Sequence, residues 1–109
     1  MKTLDKKDRV LIHTLKNILR NEFGNLIVSI HCYGSRVTLG KKDTDFDILI
    51  LTDKQLNWKE QRQIKNQIYD FGIENDLVFD PKIFSYDEFE NQLSFLPFIQ
   101  NVKATGIAI

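Results

Sequence analysis

The fold of this chain is decided by the residues Tyr33-Gly34-Ser35-Arg36, a polar loop, and then Asp45-Phe46-Asp47-Ile48-Leu49-Ile50-Leu51. The preceding run, Leu26–Tyr33, is apolar and rich in β-branched residues, which predicts a buried strand. Residues Gly34–Thr44 are polar and contain glycine, so we expect a loop with about one helical turn. The second segment alternates, which predicts a strand with Phe46, Ile48 and Ile50 on one face and Asp45, Asp47, Leu49 and Leu51 on the other.

Two carboxylates open this second strand. Residues i and i+2 of a strand point to the same face, so Asp45 and Asp47 should lie side by side, roughly 6–7 Å apart at the backbone. Two like charges this close are unfavourable unless a cation neutralises them. Magnesium is commonly held by one or two carboxylates together with substrate phosphates, so the pair is a candidate magnesium site.

The turn before the loop has the composition of a phosphate-binding turn. Gly34 permits a positive φ and a close approach of the backbone, and Ser35 adds a hydroxyl donor. Arg36 either supplies positive charge to a phosphate or pairs with an acid of the protein. A phosphate-binding turn beside paired carboxylates indicates phosphoryl or nucleotidyl transfer.

A two-metal site usually needs one more carboxylate, and the sequence offers three candidates. We predict a third strand over Ile73–Phe79, followed by Asp80-Pro81. Glu74, Asp76 and Asp80 have the same parity on it. Asp76 would lie in the middle of the strand without a structural use, whereas an Asp before proline commonly belongs to a turn. We therefore favour Asp76 as third ligand or general base, with Asp80 and Glu74 as alternatives.

The remaining segments complete a single domain over residues 1–109. Apolar periodicity predicts helices over Leu4–Phe23 and from Asn57 to Phe71, the second beginning with a capping box and ended by Gly72. Asp87–Leu93 reads as a short helix, and the form of Phe95–Val102 stays undecided. The mixture predicts an α/β (α+β) domain with a small mixed sheet of three to four strands flanked by helices.

Composition excludes several classes of protein. The chain has 109 residues, of which 42% are hydrophobic, and its 15 basic side chains balance 15 acidic ones. This apolar content argues against disorder, and neutrality argues against strong nucleic-acid binding. No apolar run approaches the roughly 20 residues that span a bilayer, and a lone cysteine, Cys32, cannot form an internal disulfide. We expect a cytoplasmic protein.

Gly34-Ser35, the polar loop and Asp45-Phe46-Asp47 together resemble the signature of the polymerase β-type nucleotidyltransferase superfamily. The small size, the leading helix and the ending Phe98–Gly106 are similar to its minimal nucleotidyltransferase (MNT) branch. The resemblance implies the polymerase β-like fold, ATP or another NTP as substrate, and two Mg²⁺ ions.

By this resemblance, Gly34, Ser35 and Arg36 bind the triphosphate, while Asp45 and Asp47 hold the metal ions. Asp76 matches the third acidic position, which helps to deprotonate the acceptor hydroxyl. The chain departs from the family pattern at Thr38, where a second arginine is frequent, and at Thr44, where serine is usual.

Members of this branch often pair with a HEPN-domain protein, commonly a ribonuclease toxin. The resemblance therefore implies an antitoxin that transfers AMP from ATP to a hydroxyl of a separate HEPN-domain partner. The alternative is a non-catalytic antitoxin that neutralises its partner by occlusion. A third interpretation is a subunit of a transferase acting on a small molecule. Base preference, acceptor, and assembly as a homo- or hetero-oligomer stay open.

Overall fold

The computed structural model of the chain describes residues 3–109. Over these residues it is a mixed α/β structure with four α-helices and one sheet, in the α/β class that the sequence predicts. The helices are α1 (Lys6–Phe23), α2 (Ser35–Thr38), α3 (Trp58–Glu74) and α4 (Pro97–Thr105), with a π-helical segment at Glu88–Gln92. The strands are β1 (Ile27–Tyr33), β2 (Phe46–Thr52), β3 (Phe79–Ser85) and β4 (Ile107–Ala108).

The sheet has the order β3-β2-β1-β4, and β2 is one of its two central strands. β1 pairs antiparallel with both β2 and β4, whereas β2 and β3 run parallel. The parallel pair is possible because α3 carries the chain back along the sheet between β2 and β3. The start of β2, the start of β3 and the end of β1 therefore meet at one edge of the sheet.

Both faces of the sheet are covered by helices. Phe46, Ile48 and Ile50 pack with α1 and α3 on one face, while Leu49 and Leu51 pack with α4 and the π-helical segment on the other. This division confirms the alternation predicted for β2. The two buried faces explain why the strand is almost continuously apolar after Asp47.

The helix ends follow local sequence signals. Asp5 caps α1 by accepting a hydrogen bond from the N–H of Asp8, and Gly24 follows the helix with φ +63°. Asn57 and Glu60 form the predicted capping box of α3. Pro97 occupies the first turn of α4, where its missing N–H costs nothing, so the segment left undecided by the sequence is a helix. No helix within residues 3–109 has both the length and the apolarity needed to cross a membrane.

The predicted end of α3 and the predicted third strand are wrong. The helix continues past Gly72 to Glu74, and the strand begins only at Phe79. Gly72 lies inside the helix, and a Cβ there would come within 2.6 Å of the Leu77 carbonyl oxygen. The glycine therefore serves close packing of the α3–β3 turn and does not end the helix.

Candidate active site

Three side chains form a row across three neighbouring strands at the edge where β2 begins. Tyr33 of β1 pairs with Asp47 of β2, and Asp47 pairs with Asp80 of β3. Asp45 immediately precedes β2 and has the parity of Asp47. The fold thus gathers Asp45, Asp47 and Asp80 at one end of one sheet face.

The electrostatics of Asp47 show that these carboxylates act on one another. Its pKa lies above the ordinary value for aspartate, first because the side chain is partly buried, and then because Asp80 and Asp45 repel its charge. Burial likewise raises the pKa of Tyr33, with further contributions from Asp47 and Asp80. Negative charge is therefore concentrated at this edge of the sheet.

Gly34 lies directly against the Asp47 carboxylate. Its backbone has φ +83° and ψ −164°, a region that is essentially restricted to glycine. A Cβ built on Gly34 would overlap Oδ2 of Asp47. The backbone of the turn after β1 therefore approaches the Asp47 side chain so closely that only glycine fits at position 34.

Ser35 begins α2 beside this turn. Its hydroxyl donates to Oγ1 of Thr44 at 3.0 Å, which links the Gly-Ser turn to the residue before Asp45. This hydrogen bond joins the two ends of the Ser35–Thr44 segment, and both ends lie at the same edge of the sheet. This contact also gives Thr44, which replaces the more usual serine, a defined partner.

The structure does not support a phosphate-binding role for Arg36. Its side chain is buried beside the ring of Phe46, and its Nη1 donates to Asp8 Oδ2 at 3.2 Å. Nε and Nη2 donate to the carbonyl oxygens of Thr44 and Lys42 at 3.2 and 2.8 Å. The guanidinium is thus engaged with the protein, and the alternative of pairing with an acid is the one observed.

Asp76 also lies elsewhere than predicted. Because α3 extends to Glu74, Asp76 occupies the exposed turn before β3 with φ +55°, a conformation that Asp tolerates better than most residues. It lines a shallow depression of about 210 Å³ together with Asp45. It has no place in the row of strands, and Asp80 takes the position on β3 beside Asp47.

Similarity to known proteins agrees with this geometry. Residues 12–105, most of the chain, match a nucleotidyltransferase domain. The chain belongs to the nucleotidyltransferase domain family. Its general activity is therefore nucleotidyl transfer from a nucleoside triphosphate, and the family typically uses a divalent metal ion. Among curated proteins, no significant sequence match to this nucleotidyltransferase was found.

The chemistry of the carboxylates fits a divalent metal ion in this nucleotidyltransferase. Asp45, Asp47 and Asp80 offer hard oxygen ligands, which magnesium prefers, and their mutual repulsion would be relieved by positive charge. Within residues 3–109, no three His, Cys, Asp or Glu side chains stand close enough to enclose an ion. Asp80 Oδ1 instead accepts a hydrogen bond from Lys82 at 3.1 Å.

The contact between Gly34 and Asp47 leads to a first prediction. Gly34→Ala should lower the free energy of unfolding by about 1–3 kcal/mol because of its backbone conformation. It should also displace the Asp47 carboxylate and abolish nucleotidyl transfer. Urea unfolding and a transfer assay measure the two effects separately.

Gly24→Ala is the matched control. Gly24 has a similar backbone, with φ +63° and ψ −140°, but a Cβ there meets nothing within 4 Å. This variant should lose similar stability and keep its activity. If Gly34→Ala retains transfer at the level of Gly24→Ala, the contact does not position Asp47.

The raised pKa of Asp47 leads to a second prediction. Its ionised form is less favourable in the folded protein than in the unfolded chain, so stability is lost as the pH rises through the pKa of the folded state. Metal-free Asp47→Asn should therefore be more stable than the unsubstituted protein at pH 7. The advantage should shrink as the pH falls from the folded-state pKa of Asp47 toward the ordinary pKa of aspartate, and it should be gone below that ordinary pKa. Thermal unfolding across pH measures this dependence.

Asp87→Asn should behave in the opposite way. Hydrogen bonds from the Asn91 and Gln92 side chains lower the pKa of Asp87, so its ionised form stabilises the fold. That variant should be less stable at pH 7 and converge with the unsubstituted protein in acid. A stability of Asp47→Asn equal to or below that of the unsubstituted protein at pH 7 would show that Asp47 is not electrostatically strained.

Proposed function

We propose that this nucleotidyltransferase transfers AMP from ATP to a hydroxyl of a partner protein, with Mg²⁺ held by Asp45, Asp47 and Asp80. The observation that carries the proposal is the close approach of Gly34 to Asp47, because it brings a Gly-Ser turn and the carboxylates to one edge of the sheet. The family match supports nucleotidyl transfer in general. The acceptor and the metal are the parts proposed here.

Each residue has a role in this scheme that follows from its position. The Gly34-Ser35 turn holds the triphosphate beside the carboxylates, because the missing Cβ of Gly34 lets the turn lie directly against Asp47. Asp45 and Asp47 hold the metal, which when bound neutralises phosphate charge and polarises the reacting oxygens. Asp80, exposed on the outer strand, is the third metal ligand and also accepts the proton of the incoming hydroxyl.

The partner is proposed from the resemblance to the MNT branch. Members of that branch often pair with a HEPN-domain protein, commonly a toxin, and in some systems the acceptor hydroxyl belongs to that toxin. The exposed position of Asp80 on the outer strand β3 agrees with an acceptor that arrives as part of another protein. We therefore propose a role as a catalytic antitoxin.

The test is transfer of label from ATP. The purified protein is added, with Mg²⁺, to an extract of the organism that encodes it, and labelled polypeptides are resolved on a denaturing gel. ATP labelled at the α-phosphate should label a partner, whereas ATP labelled at the γ-phosphate should not, because a nucleotidyl group is moved. Removing Mg²⁺ with EDTA should abolish the signal.

The control is the double variant Asp45→Asn with Asp47→Asn. It keeps the size of both side chains and should reduce labelling to the level of the extract alone. Labelling that survives the double substitution would contradict the proposed site. If the double variant still neutralises the partner in cells while labelling is lost, the protein acts by occlusion.

A further inference from the structure

Lys82 lies on the same face of β3 as Asp80, one pair further into the sheet. It pairs with Leu49, and its side chain points back along the strand so that Nζ is 3.1 Å from Asp80 Oδ1. About half of each side chain is exposed, with 46% for Lys82 and 49% for Asp80. The ammonium group is therefore open to a ligand bound over the carboxylates.

We propose that Lys82 is a catalytic residue that binds the phosphate being transferred and that, without nucleotide, neutralises Asp80. The inference rests on the proposed function, because it assumes that a nucleoside triphosphate binds over Asp45, Asp47 and Asp80. It assigns to Lys82 the phosphate-binding charge that the family resemblance assigns to Arg36.

Two of the cations near the loop, Arg36 and Lys42, are engaged with the protein. Arg36 is buried and donates to Asp8 and to two backbone carbonyl groups. Lys42 forms ion pairs with Asp5 and Asp8. Lys82 differs from both because its single carboxylate partner is itself part of the site.

The charge of Lys82 also reaches Asp47. It acts to lower the pKa of that carboxyl, opposing the effects of burial, Asp80 and Asp45. A cation in contact with Asp80 would repel a metal ion but attract a triphosphate. The role of Lys82 can therefore be tested by measuring both the affinity for a metal ion and the affinity for a nucleotide.

In the transfer step, the acceptor oxygen forms a bond to the α-phosphorus while the bond from that phosphorus to the oxygen bridging to the β-phosphorus breaks. Pyrophosphate leaves with that electron pair, and the proton of the acceptor hydroxyl goes to the Asp80 carboxylate. As Asp80 turns to the hydroxyl, Lys82 is released and donates to a non-bridging oxygen of the α-phosphate. An ammonium group has three donors, so it can follow the phosphate as the geometry changes.

The experiment compares the full chain with Lys82→Met, Lys82→Arg and Lys59→Met in two binding measurements. Lys59→Met removes the charge of another exposed lysine, at the start of α3, where the ammonium lies over the Trp58 ring. The first measurement is Mn²⁺ affinity without nucleotide. The second is affinity for an ATP analogue with a methylene between the α- and β-phosphates, at saturating Mn²⁺.

Lys82→Met should bind Mn²⁺ more tightly, by about 3- to 10-fold, because a competing cation is removed. It should bind the analogue more weakly, by about 10-fold or more, the effect expected for a lost charge-assisted hydrogen bond. Lys82→Arg should stay close to the unsubstituted protein, and Lys59→Met should change neither affinity. Thermal unfolding should hardly change, since an exposed ion pair contributes little to stability.

Either of two results overturns the proposal: an unchanged or weaker Mn²⁺ affinity of Lys82→Met, or an unchanged affinity for the analogue. Because both measurements are made without turnover, they decide the role of Lys82 even if the labelling assay fails. Failure of the proposed function appears separately, as absence of label transfer by the unsubstituted protein. When labelling is observed, Lys82→Met should reduce it more strongly than it weakens analogue binding.

Discussion

After β1 the chain turns at Gly34, directly against the Asp47 carboxylate. Only a residue without Cβ fits there, and only glycine readily adopts the backbone conformation that the turn requires. The contact places the Gly-Ser turn, the partly buried carboxylate and the end of β1 at one edge of the sheet. Every function that we propose for this edge depends on that approach.

A second constraint fixes the loop that leads to Asp45. Arg36 holds two of its backbone carbonyl oxygens and is itself paired with Asp8, which lies buried on α1. Removing one partner of a buried ion pair typically lowers the free energy of unfolding by about 3–5 kcal/mol. The pair of Arg36 and Asp8 therefore anchors the loop against the first helix. The arginine therefore acts on the site through the backbone before Asp45 and leaves phosphate binding to other groups.

The sequence was sufficient for the parts of the fold that follow local rules. The alternation of β2 and the Asn57–Glu60 capping box depend on residues close together in the chain, and the structure agrees with both. The α3–β3 connection failed because Gly72 resembles a helix stop, whereas its real function, close packing against Leu77, depends on tertiary structure. Because of that error, Asp76 was predicted on a strand, whereas it lies in the turn between α3 and β3. The alternation of Phe79, Pro81 and Ile83 with Asp80 and Lys82 was the overlooked signal, and the partner of Arg36 lies 28 residues away, beyond any local pattern.

The central claim is that Asp80, on the strand beside Asp47, completes the metal site. The most direct measurement is the Mn²⁺ affinity of Asp80→Asn compared with Asp76→Asn, titrated by electron paramagnetic resonance in the presence of the non-cleavable ATP analogue. We predict that Asp80→Asn weakens binding by about 10-fold or more, and that Asp76→Asn stays within about 2-fold of the unsubstituted protein. A loss of affinity in Asp76→Asn with none in Asp80→Asn would contradict this account.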